Sequence, residues 1–133
     1  MSERLNDHIH LLQQVHERLS KAQSQSGGVI SDEILHQLTQ VIDQLTQHSD
    51  SGYTLGQDWI THIFSHHPQL SPAIDRDLLW FFGGDCLHFL TDEEIDLFQQ
   101  IDEIEAQHHQ EQKPFDRQAT KALLLKPTPG FNA

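Results

Sequence analysis

Apolar residues recur along most of this chain at intervals of three and four, the spacing of one face of an α-helix, and no run alternates long enough to make a strand. Leu5, Leu12, Val15, Leu19 and Ala22, with His8 in one slot, form a stripe that predicts an amphipathic helix over residues 2 to about 23. Ser24, Ser26, Gly27 and Gly28 interrupt it, and Ser31 followed by Asp32 and Glu33 is an N-cap with acids in the first turn. The helix it opens runs to about His48, with Ile34 or Leu35, Leu38, Val41 or Ile42, and Leu45 inside. After a turn at residues 49–52, Tyr53, Trp59, Ile60, Ile63 and Phe64 mark a third helix that must stop before Pro68.

Ser71 and Pro72, a cap and a proline at the first helical position, lead into the densest apolar run of the chain, residues 77–90. A helix apolar on nearly every face must be covered on nearly every face, so this segment, about residues 73–89, is expected to be a continuous central helix wrapped by the others. Its adjacent glycines, Gly83 and Gly84, keep a second reading open: a break, with Gly84 ending one helix and Asp85 capping another. Thr91 and Glu94 have the spacing of a capping box for a helix bearing Ile95, Leu97, Phe98, Ile101 and Ile104, closed by Pro114. Asp116 can cap a last short helix with Ala119, Ala122, Leu123 and Leu124. The fold class is therefore an all-α bundle of five or six helices, one domain over residues 1–126, with an irregular tail at 127–133. Its core is expected to hold Leu12, Leu38, Leu45, Trp59, Ile63, Leu78, Phe82, Phe89, Phe98 and Ile101.

Eight Lys and Arg against twenty Asp and Glu give a net charge of −12, which disfavours nucleic acid and anionic lipid as partners. The lone cysteine, Cys86, lies in the apolar run, so it reads as a small buried hydrophobe in a reducing, cytoplasmic setting. The first twelve residues lack a signal-peptide pattern, and no run is apolar enough to span a bilayer, so no membrane association is expected.

The segment Arg76-Asp77-Leu78-Leu79-Trp80-Phe81-Phe82-Gly83-Gly84-Asp85-Cys86-Leu87-His88-Phe89, with the acidic helix start after it, resembles a family of short bacterial helical proteins of unknown function. The resemblance implies no activity, ligand or catalytic residue.

Acid-x-x-His, which places both side chains on one helix face, occurs at Asp7 and His10, Glu33 and His36, Asp85 and His88, and Glu105 and His108. Only Glu33 with His36 and Glu105 with His108 match the pattern of carboxylate-bridged metal sites, but Glu33 lies in a first turn as a dipole partner, His108 lies in a polar helix end, and no bridging Glu projects from the apolar stripe of another helix. His62 and His66, four apart with His67 adjacent, can clasp a divalent ion if a third ligand comes from elsewhere, or can simply interact with the end of their helix. Asp85 and His88 form a buried acid–imidazole pair if the run is fully covered, the basis for a small acid–base enzyme or for a structural hydrogen bond. Nucleophile-elbow, phosphate-loop and dinucleotide motifs are absent. The leading reading is a non-enzymatic interaction protein without a cofactor, a homodimer or partner of another protein. Its interface is expected at Trp80 and Phe81 or along Leu5, Leu12 and Leu19. A helical bundle binding a metal or small ligand is the alternative.

Overall fold

The computed structural model describes residues 3–26 and 30–125, and the expected tail at 127–133 and the Gly27–Gly28 break lie outside them. Among the described residues there are six α-helices, two 3₁₀ helices and no strand. The α-helices are α1 (Glu3–Ser26), α2 (Asp32–Thr46), α3 (Ser51–His66), α4 (Arg76–Phe82), α5 (Asp92–Gln110) and α6 (Arg117–Leu125). The helices fall into two compact units, Met1–Leu90 and Thr91–Ala133.

The first unit is built around α3. It packs on α2, on the 3₁₀ helix Pro68–Ala73, on α4 and on the 3₁₀ helix Gly84–Phe89. Two buried glycines allow this. A Cβ on Gly56 would lie 2.1 Å from the Phe82 ring, and one on Gly52 would lie 2.9 Å from Leu45 Cδ2. The first helix spends its stripe inside the unit: Leu5, Leu12, Val15 and Leu19 are all buried, and so is His8, whose Nδ1 donates to the Arg4 carbonyl at 2.6 Å. The Ser31 hydroxyl accepts from Ile34 N as expected, and α2 ends in a left-handed residue, His48, at φ 60°. The indole N–H of Trp59 donates to the Ile34 carbonyl at 3.0 Å and pins α3 to α2.

The continuous central helix over 73–89 does not form. Gly83 stands at φ 66°, ψ −151° and Gly84 at φ 57°, backbone states that L side chains avoid, so α4 stops at Phe82 and a 3₁₀ helix follows. Gln57 of α3 takes up the slack by donating to the Phe82 carbonyl at 2.7 Å. The start is also displaced. Ser71 and Pro72 lie inside the 3₁₀ helix Pro68–Ala73, and extended Ile74 separates it from α4. The segment is not covered all round: Leu78, Leu79, Phe82 and Cys86 are buried, while Trp80, Phe81, Leu87 and Phe89 are half-buried. Phe89, expected in the core, instead rests its ring 4.7 Å from that of Phe64, and Arg76 donates to its carbonyl. The other nine expected core residues are buried.

The second unit is the helix pair α5 and α6. Thr91 and Glu94 form the full capping box, with Glu94 N donating to Thr91 Oγ1 at 3.1 Å and Thr91 N to Glu94 Oε1 at 2.9 Å. Asp116 caps α6 through a bond from Ala119 N at 3.0 Å. Arg117 is 2% exposed, and its guanidinium lies 2.8 Å from Asp102 and 3.6 Å from Glu105.

Candidate functional site

An open groove of about 570 Å³ runs between α2 and α3. From α2 come Glu33, Gln37 and Gln40 over a floor of Ile34 and Val41, and from α3 come Leu55, Asp58, Trp59 and His62, with His67 at one end. Helical periodicity explains the set. Residues 33, 37 and 40 share one face of α2, as do 55, 58, 59 and 62 on α3, at the margin where the packed stripe gives way to solvent. Glu33 and Asp58 are the charged lining residues, so the groove is acidic.

At its end three imidazoles gather. The His62 and His66 ring centroids are 4.7 Å apart, as residues four apart on a helix should be. Pro68 bars the residue before it from helical geometry, so His67 turns to φ −135°, ψ 56°, and its ring comes within 5.4 Å of His62. His62 and His66 are exposed and His67 is half-buried. Among the described residues no group of three or more His, Cys, Asp or Glu side chains is placed to hold a metal ion.

The other sequence-derived candidates are dispersed. Asp85 and His88 are both exposed on the 3₁₀ helix Gly84–Phe89, so the buried acid–imidazole pair does not exist: the break at Gly83 turns that face outward. Glu33, which lines the groove with His62 and His67, accepts from Gln37 at 3.4 Å, while its expected partner His36 is exposed and meets Gln40 at 3.4 Å. His10 likewise meets Gln14. Glu105 is engaged by Arg117, while His108 donates from Nδ1 to the Ile104 carbonyl at 2.8 Å and rests its ring against Phe115. Leu5, Leu12 and Leu19 are unavailable to a partner because α1 buries them. Phe81 is stacked on His8 at 4.3 Å and lies 5.5 Å from Tyr53, leaving it half-buried beside Trp80.

Cys86 is buried, and its thiol lies 3.8 Å from the Gln57 carbonyl. Burial pushes this thiol up in pKa; a hydrogen bond with Thr61 opposes the rise, and the charges of Asp85 and Asp58 add to it. Burial and the raised pKa both disfavour the thiolate, and the residue packs as a small hydrophobe.

Two features escaped the sequence reading. Arg117 was invisible as a buried cation, although Asp102 and Glu105, three apart on α5, form the acidic face that receives it. The exposed leucines of α6 are the second: Leu123 is 72% exposed, Leu124 38% and Leu125 61%. The sequence pattern places Leu123 and Leu124 on a last short helix without showing that they face outward. No helix among the described residues is long and apolar enough to cross a membrane. In comparison with known proteins, the family model PA2817-like matches residues 1–132. No curated protein and no solved structure matches the chain.

Proposed function

We propose that this chain, which belongs to the PA2817-like family, is a non-enzymatic protein-interaction module that pairs with a second copy of itself through α6. The observation that carries the reading is the exposed triplet Leu123, Leu124 and Leu125. Three consecutive positions span roughly 200° of a helix's circumference, and one neighbouring helix covers little more than half of that. The pairing of α5 with α6 therefore cannot bury all three leucines, and contiguous exposed apolar surface marks an interface.

Charge points to the same surface and to a second copy as the occupant. Lys121 and Lys126 flank the leucine triplet in the sequence, and no acid follows Asp116. Association at this end brings together the least acidic part of a chain of net charge −12, so like-charge repulsion between copies is smallest here. A two-fold contact in which each leucine triplet meets its equivalent needs no other surface. Trp80 and Phe81 are half-buried, Phe81 against the rings of His8 and Phe82, whereas all three leucines are exposed. The buried lone thiol supports a reducing, cytoplasmic setting, and the acidic surface supports a protein partner in preference to nucleic acid or lipid.

Light scattering on the untagged chain tests this. The wild type is expected at twice 15.3 kDa at tens of micromolar, with association strengthened by salt, and the variant carrying Leu123→Gln, Leu124→Gln and Leu125→Gln at the single-chain mass. A wild-type monomer, or a dimer untouched by the triple substitution, overturns the proposal.

A further inference from the structure

We infer that His62 and His66, at the exposed end of α3 beside the groove, form a two-imidazole clasp for a divalent transition-metal ion of the zinc, nickel and copper class. The argument begins with spacing. A metal bound at about 2.0 to 2.1 Å from an imidazole nitrogen lies roughly 3.2 Å from the ring centroid, so two rings sharing a tetrahedral ion have centroids about 5 Å apart. The His62–His66 separation is 4.7 Å and the His62–His67 separation 5.4 Å, one on each side of that value. The rings of His62 and His66 are already tilted at 41° rather than stacked flat.

Other helical histidines of the chain have their ring nitrogens engaged, His10, His16 and His36 by side chains one turn on, and His8 and His108 by a carbonyl one turn back, that of Arg4 and of Ile104. Among the described residues no such bond engages His62, His66 or His67, which contact one another by their rings alone. Their nitrogens are thus available to an ion. Electrostatics favours a cation at this place three times over. The last carbonyls of α3 present the negative end of the helix dipole, Asp58 stands one turn before His62 on the same face, and among the described residues no Lys or Arg lines the adjoining groove. Imidazole ligands select zinc, copper and nickel over the harder magnesium and calcium.

Because no three ligating side chains converge among the described residues, the clasp is a two-ligand site completed by water, with His67 as the neighbour nearest to joining it. Such a site holds an exchangeable ion, unlike the closed four-ligand sites that hold structural zinc.

Calorimetric titration of the untagged full chain with zinc chloride, and separately with magnesium chloride, is the test. One zinc per chain and no magnesium is the expected result, with zinc affinity reduced about tenfold or more by either His62→Ala or His66→Ala and less by His67→Ala. His36→Ala, on the outer face of α2, is expected to bind as the wild type does. A second measurement on the unaltered chain requires no variant to fold: one equivalent of copper(II) should give an electron paramagnetic resonance spectrum with two coordinated nitrogens. The inference is overturned by the absence of zinc binding, or by unchanged affinity when His62 and His66 are replaced together.

Discussion

Gly56→Ala is a substitution whose sign depends on the packing described above. In an exposed helix interior the change from glycine to alanine stabilises by about 1 kcal/mol. At Gly56 the added methyl would lie 2.1 Å from Phe82 Cε1, 2.3 Å from Cζ and 2.7 Å from Cδ1, so the ring must retreat by more than an ångström to reach ordinary contact. Phe82 is only 5% exposed, and its ring is held edge-on to Phe81 at 5.1 Å, while Phe81 is itself stacked on His8. Retreat therefore disturbs a chain of rings reaching α1. Overpacking of this kind costs about 1 to 3 kcal/mol, and the severity of the overlap places Gly56 in the upper half of that range. After subtracting the helix-propensity gain, the net loss is about 1 to 2 kcal/mol, or a fall of roughly 4 to 8 °C in melting temperature for a chain of this size. Phe82→Leu, which shortens the obstructing side chain, should be destabilising alone yet reduce the cost of Gly56→Ala, giving a favourable coupling in a double-mutant cycle by urea denaturation. A rise in stability for Gly56→Ala alone, as at an exposed glycine, would refute the close approach of α3 to α4.

Three further outcomes follow from the same structure. Gly83→Ala should cost about 1 to 3 kcal/mol in urea denaturation, because φ 66° with ψ −151° is nearly closed to L residues; a neutral result would mean the segment re-forms as a continuous helix. Arg117→Met leaves Asp102 and Glu105 facing each other without their cation and should cost about 3 to 5 kcal/mol, most of it recovered when both acids are also neutralised as Asp102→Asn and Glu105→Gln. Cys86 should resist Ellman's reagent at pH 8 until the chain opens. Since its folded pKa is raised, the linked stability is full below the ordinary thiol range near about 8.5 and declines as pH rises through and above it; rapid labelling of the native chain would contradict this burial.

Much of the fold was legible because the features that determine it are local. The capping box at Thr91 and Glu94, the Ser31 and Asp116 caps and the stop before Pro68 each rest on residues within a few positions of one another, and each is present. The course of residues 73–89 was less legible because two signals conflicted there. Apolar density argued for a buried continuous helix, and paired glycines argued against it. The glycines prevailed because Gln57, 25 residues away along the chain, satisfies the Phe82 carbonyl that the break releases. That bond has no signature in the sequence. The same limit hid Gly56 as the point of closest approach and Arg117 as a buried cation, since both depend on which helices become neighbours. For the candidate site, the histidine spacing at 62, 66 and 67 could be read directly. The outward turn of Asp85 and His88 could not, because it follows from the break.

The pairing of two copies through α6 is tested most directly by an isotope-filtered nuclear Overhauser experiment on a mixture of labelled and unlabelled chains. Contacts between copies are predicted on the methyl groups of Leu123, Leu124 and Leu125, with each triplet reporting on its equivalent across a two-fold axis. Intermolecular contacts confined to other residues, or none at concentrations where light scattering finds a dimer, would contradict the account.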